Sequence, residues 1–285
     1  MTLIWGGLAL GAVYALVAVC YNIVFISSKT FNFAQAQLIM VGAFVTYTGL
    51  VTWKLSVPVV LLLAVASVLA LAAVEERLAV RPVKDPHNIL VTTLGVSILL
   101  NGVTQLVWGT QPLNVPFFGG NEVMRLLGGQ TYPVEIALVV VAVLLVWALT
   151  RLSRRFLVGL ALLGMSEDRE AAMLRGVDVR RLAFGAFAFS GAVAGVLGMF
   201  VGPKTFAVAT LGASLALKGF VVLAIGGFGS MQGTLVGGLV VGLAEALAAR
   251  YLGGAYANIT VFVILVTILL VRPAGLFVRV QERTV

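Results

Sequence analysis

The side chains able to do chemistry in this chain are few, and most sit inside apolar runs. Lys218 and Glu245 are ionisable groups in stretches hydrophobic enough to enter a bilayer, where an unpaired charge is costly. Lys218 has two readings, an attraction for a substrate carboxylate or a cation that snorkels to the outer interface. Glu245 lies five residues before Arg250, so a structural pair near a span end is expected. Its alternative is the proton- or cation-binding carboxylate of an ion-coupled carrier. Asn101 and Gln105 are four residues apart, which puts both amides on one helix face. Asn32, Gln35 and Gln37 crowd a stretch, 27–37, too polar to face lipid and too short for a domain. Such amides either hydrogen-bond helices together or line a path for a polar solute.

The missing chemistry narrows the function. Residues 212–218 approach a phosphate-binding loop, but Leu217 stands where the glycine before the lysine belongs and Gly219 where Ser or Thr should follow. No ATP site is expected in this chain. The one histidine, His87, follows Pro86 in a loop, and the one cysteine, Cys20, lies in an apolar run. These supply neither a metal-ligand set nor an internal disulfide. Without a nucleophile and base at useful spacing, no catalysis and no bound cofactor are expected.

The elements that hold these residues follow from composition. Of 285 residues 61% are hydrophobic and 11% charged, and the mean hydropathy is +1.10. That composition excludes a soluble domain and identifies an all-α, polytopic integral membrane protein, read as one transmembrane domain over 1–285. Apolar runs of crossing length fall near 4–26, 37–53, 57–74, 89–108, 133–150, 183–201, 214–229, 234–250 and 257–271, predicting about eight or nine spans. The run 214–229 carries Lys218 and ends in a glycine cluster, which suggests a half-helix. The run 58–74 has almost no polar atom and reads as lipid-facing. The first run, 7–26, is long enough to remain as a span and not be cleaved as a signal. Glycines at 191, 195, 198 and 202, and again at 229, 233, 237, 238 and 242, have the spacing that lets helix backbones approach closely. Polar or glycine-interrupted short segments at 27–37 and 218–233 predict an internal inverted repeat with a path at its interface.

A net charge of +8 suggests nucleic acid in a soluble chain, but its placement here points to a membrane. Arg77, Arg81 and Lys84 share one loop, seven arginines fall within 151–181, and Arg272, Arg279 and Arg283 close the chain. The positive-inside rule makes their side the cytoplasm. The polar island 151–181 then forms a cytoplasmic loop. Within it a short helix is predicted over 167–175: Ser166 as cap, Glu167, Asp168 and Glu170 in the first turn, then Arg175 and the left-handed stop Gly176. About nine residues are marginal alone in water, so something must hold this helix. Its small face, Ala171 and Ala172 with Leu174, is shaped for docking; the plainer reading is an ordinary surface helix. On the opposite side 109–132 is the longest loop, with Glu122 and Arg125 as contacts for an external protein.

The run SEDREAAMLRGVDVRR resembles the EAA-type cytoplasmic loop of ABC importer permeases, with Glu170-Ala171-Ala172 and Gly176 matching its core. Together with GLALGAVYALVAV at 7–19 and KGFVVLAIGGFGSMQGTLVGGLVVG at 218–242, nearly the whole chain resembles the branched-chain amino acid permease family. Two departures stand out. Leu163-Gly164 replaces an Arg-Ala pair, and Asn32-Phe33-Ala34-Gln35-Ala36 replaces an Asn-Phe-Ala-His-Gly run.

The resemblance implies a bacterial-type inner-membrane permease subunit for branched-chain or similar small amino acids. It implies a homologous second permease subunit, two cytoplasmic ATPases that hydrolyse the ATP, and an extracytoplasmic solute-binding protein, all beside membrane lipid and without nucleic acid. Ser166, Asp168, Glu170, Ala171, Ala172 and Gly176 would form the ATPase-coupling helix. Asn32, Gln35, Gln37, Asn101, Gln105 and Lys218 would line the path. The alternatives are a permease for urea, amides or another small solute, an ion-coupled carrier, and a purely structural membrane subunit.

Overall fold

A computed structural model describes residues 1–83, 85–120, 122–126, 128–272 and 275–277; Lys84, Arg279 and Arg283 lie outside them. The chain opens with α1, Thr2–Ser28, which is buried on nearly every side and correspondingly apolar all round. Lys29 ends it in the left-handed region at φ 56, and residues 29–34 lead irregularly into α2, Gln35–Tyr47. A π-helical stretch, Thr48–Thr52, prolongs α2. Then come α3, Val57–Glu75, with its own π-helical extension Glu76–Val80, and α4, Pro86–Trp108, capped by the Asp85 side chain. A hairpin of β1, Met124–Leu126, and β2, Gly129–Thr131, precedes α5, Pro133–Arg155. Two short helices follow, α6, Leu157–Glu167, and α7, Arg169–Leu174. The chain finishes with α8, Val179–Thr205, α9, Leu211–Gly226, α10, Met231–Tyr251, and α11, Gly254–Val271.

Among the described residues eight helices are long and apolar enough to cross a membrane, and α6 and α9 are apolar but shorter. The half-helix expected from 214–229 is α9, which has 16 residues.

The order of elements contains an inverted repeat. Helices α1 to α4 form one copy and α8 to α11 the other, with α5 to α7 between. Each copy starts with a helix of 27 residues and a residue at positive φ, Lys29 or Phe206, near the break before a short second helix. The corresponding breaks are therefore 29–34 and 206–210. This corrects the expected pairing with 218–233, because Lys218 to Gly226 is continuous helix in α9.

The copies interlock: α1 packs along α10 and α9, and α8 packs along α3 and α2. Glycine permits both crossings. A methyl group on Gly11 of α1 would lie 2.6 Å from the Gly238 carbonyl oxygen, and one on Gly195 of α8 would lie 2.6 Å from that of Ala64. Helix α3 consequently does not face lipid all round. Val60, Ala64, Val68 and Ala72, each four residues apart, are buried, Val60 against Gly49 and the other three along α8, and most of the remaining surface is exposed.

The helix ends sort by charge. Arg77 and Arg81 lie over the Phe184 ring, and Arg81 pairs with Glu76 at 3.0 Å. The same end of the bundle carries Lys29, the end of α5, both short helices and Arg272. At the other end, Lys204 of α8 pairs with Glu135 of α5, the hairpin packs on the N-terminus through Thr2, and Leu113 bonds with Ala207 in both directions. The basic end is the cytoplasmic one by the positive-inside rule, which places the start of α1 outside and the end of α11 inside.

Candidate functional site

The basic end is built around α5 to α7. Arg151, Arg154 and Arg155 prolong α5, and the chain turns at Phe156 so that α6 folds back on it. Gly159 allows this by packing directly on the Leu152–Ser153 backbone. Helix α6 stops at Asp168, whose carboxylate accepts from the Glu170 and Ala171 amides, both at 3.0 Å. The six-residue α7 then closes at Arg175, and Gly176 adopts φ 84 as the left-handed stop.

The cap is therefore Asp168 and not Ser166, which belongs to α6 and donates its hydroxyl to the Leu163 carbonyl. An aspartate with extended backbone can cap, whereas a serine within a running helix can only bond backward. The docking face also differs from expectation. Ala172 is buried with Met165 and Val179, and this small apolar cluster supplies the support that so short a helix requires. Met173 and Leu174, 52% and 90% exposed, and the charged Glu170 are what α7 presents outward.

The polar stretch before α2 is brought inside the bundle. Asn32, Gln35 and Gln37 are buried; the Asn32 carbonyl oxygen accepts from the Ala34 amide, and the Gln37 amide donates to Ser97 of α4. Neither polar end of Gln35 has a partner, nor have Asn32 Nδ2 and Gln37 Oε1. Gln37 lies against Gly212 at the start of α9. The short second helices of both repeats therefore begin side by side. Buried amides without partners are rare enough in folded proteins to mark a place where a polar solute or water can be met.

The remaining amides and charges are paired. Asn101 donates to the Ala209 carbonyl in the second break and accepts from Gln105, each at 2.6 Å, so these two fasten α4 to the loop before α9. Lys218 of α9 meets Glu245 of α10 at 2.5 Å and the Tyr14 hydroxyl of α1 at 2.9 Å. Glu245 is thus paired with Lys218 and not with Arg250, since α9 and α10 pack against each other through glycines while Arg250 sits at the far exposed end. Lys218 does not snorkel outward.

Two buried polar groups were not found from the sequence. Asn22 of α1 grips the turn after α9, accepting from the Gly229 amide and donating to the Ser230 carbonyl. Glu75, at the end of α3, is buried beside Tyr21 and Asn32 with neither carboxylate oxygen bonded. The adjacent pair Glu75-Glu76 after an aliphatic run was the signal available, and it reads locally as a loop.

Interlocked inverted repeats with short, broken second helices, and a loop helix presented at the basic end, define a multi-pass membrane transport subunit. The chain belongs to the family described as branched-chain amino acid transport system / permease component, whose model matches residues 3–271. It is 29% identical to the high-affinity branched-chain amino acid transport system permease protein LivH of Escherichia coli K12, across 99% of this chain and 96% of that one. It is 28% identical to the corresponding protein BraD of Pseudomonas aeruginosa, over 98% and 96%. It is 26% identical to the probable branched-chain amino acid transport permease protein LivH of Methanocaldococcus jannaschii, over 95% and 90%. No solved structure matches.

Proposed function

We propose that this chain is the membrane-spanning subunit of an ABC importer in the bacterial inner membrane, moving branched-chain or similar small amino acids handed over by a solute-binding protein. The observation that carries the coupling role is α7, a separately capped helix at the basic end with Leu174 and Met173 pointing away from the rest of the chain. Such a helix seats in a cleft of an ATPase subunit. Two ATPases bind and hydrolyse the ATP, and the permease carries no cofactor and performs no catalysis of its own.

Closure of the ATPase pair shifts the permease between outward- and inward-facing states, with α7 and α6 transmitting the motion to α5 and α8. The glycine-lined contacts between repeats suit rigid packing units that rock as bodies. The solute passes near the paired starts of α2 and α9, where Asn32, Gln35 and Gln37 hold unused hydrogen-bonding capacity. Asn101, Gln105 and Lys218 position that region through the bonds described above. A homologous second permease subunit packs on the exposed faces of the fourth helices, α4 and α11, where Gly95 and Gly102 of α4 meet nothing within 4 Å. The solute-binding protein meets the hairpin end, where Glu122 and Arg125 are exposed.

A second reading has one observation behind it. A 217-residue match at 27% identity, over 71% of this chain, is to the ribose import permease protein RbsC of Escherichia coli K12. A different small solute therefore stays in contention. An ion-coupled carrier working through Glu245 fits less well, because that carboxylate is tied to Lys218 and is not free to cycle a cation.

The test is uptake by vesicles holding the complete importer. Glu170→Ala with Gly176→Leu is expected to abolish ATP-driven uptake of branched-chain amino acids while the chain stays in the membrane. Normal uptake by that variant would remove the coupling role of α7. Uptake competed by ribose and not by leucine would select the second reading.

A further inference from the structure

At the basic end the chain leaves a cleft of about 1520 Å³ between α1, α5, α6, α8 and the turn at 228–232. Small-molecule sites measure about 300–1,000 Å³, so this space suits a larger occupant. Much of the wall is apolar: Phe25, Leu152, Phe156, Leu162, Phe189 and Phe228 all line it, and Phe156 and Phe189 are 59% and 41% exposed. Three cations line the same cleft, Lys29, Arg154 and Arg181. Arg181 is engaged by Asp178 at 3.0 Å, and Lys29 rests over the Phe25 ring at 5.7 Å. Among the described residues Arg154 has no ion-pair partner. The two acids that also line the cleft, Glu167 and Asp168, sit where α6 ends, and Asp168 is occupied in capping α7.

We propose that the cleft holds an anionic phospholipid of the cytoplasmic leaflet, its phosphate against Lys29 and Arg154 and an acyl chain along the Phe25, Phe156 and Phe189 walls. Charge complementarity chooses this occupant, because basic pockets between membrane helices on the cytoplasmic side attract anionic headgroups. Depth supports it. Leu157, Val158 and Leu160 of α6 are exposed beside the arginines, as in a helix lying at the boundary between headgroups and acyl chains. The consequence is regulatory. Helix α6 is one wall of the cleft and leads through Asp168 directly into α7, so a bound lipid sets where α6 rests and with it where α7 is presented.

The intact chain in nanodiscs is labelled with a photoreactive phosphatidylglycerol, and the labelled peptides are mapped. Label is expected on peptides covering 149–167 and 182–189, displaced by unlabelled phosphatidylglycerol and not by phosphatidylcholine. Lys29→Gln with Arg154→Gln should lower it by about tenfold, since each surface cation adds several-fold to anionic-lipid affinity. The lipid assignment is overturned by equal displacement with phosphatidylcholine, or by label confined to the faces of α4 and α11. Undiminished labelling of the double variant also overturns it. Displacement by a free amino acid would make the cleft a solute vestibule instead. Since the readout is lipid contact, failure of uptake leaves this test standing, and the mapping on unaltered chain decides the matter even if the variant does not fold.

Discussion

In the first repeat the break is polar and leads into Gln35 and Gln37; in the second it reads Phe-Ala-Val-Ala-Thr at 206–210 and leads into Leu211 and Gly212. The third helices differ in a related way. Each carries a buried acid, Glu75 in α3 and Glu245 in α10, but their surroundings are unlike. Glu245 is neutralised by Lys218 from the second helix of its own repeat, and Lys218 in turn donates to the Tyr14 hydroxyl from the other. Glu75 has only amide and phenol neighbours and makes no bond. One scaffold therefore holds a rigid, charge-locked half and a half with unspent polar capacity. A path that must admit a polar solute without trapping it fits better beside the second kind.

The largest expected effect lies on the locked side. Glu245→Gln strands the Lys218 ammonium inside the bundle and should cost about 3–5 kcal/mol, read as a lowered detergent-solubilised melting temperature. Lys218→Met with Glu245→Gln should recover most of that loss, because a neutral pair leaves no buried charge. If the double variant is as unstable as the single one, the pair is not what holds α9 to α10.

The interlock between repeats comes next. Gly195→Val places side-chain carbon against the Ala64 carbonyl, and overpacking of this kind costs about 1–3 kcal/mol. Its melting temperature should fall, and a companion substitution Ala64→Gly, which leaves that carbonyl in place, should restore little of it. Full rescue by Ala64→Gly would mean that side chains and not backbones set the crossing.

The smallest effect is expected on the unlocked side. Glu75→Gln removes a carboxylate that accepts nothing, so stability should change by no more than about 1 kcal/mol, in the direction of a gain. A loss comparable to that of Glu245→Gln would erase the contrast between the two acids.

Much of the architecture is legible in residue order because a bilayer imposes so simple a rule. An apolar run of sufficient length becomes a helix, so all nine runs are found as helices, and the short one is α9. Gly176 was identifiable as a helix stop because φ 84 favours glycine whatever surrounds it. The cap was harder. Ser166 and Asp168 both have capping side chains, and the choice depended on where α6 ended, at Glu167 with Asp168 in extended backbone.

The class of protein, the spans and the basic face rest on local properties: run length, hydropathy and charge placement. Which polar groups meet is a matter of how the helices pack. Lys218 and Glu245 are 27 residues apart, and Tyr14 is 204 residues from Lys218. Their meeting depends on the way α1 crosses α9 and α10. The pairing of the two breaks likewise became visible only when α8 lay along α3 as α1 lies along α10. Such contacts arise from helix crossings set by glycine-lined backbones far apart in the chain, and no local window of sequence contains both sides of them.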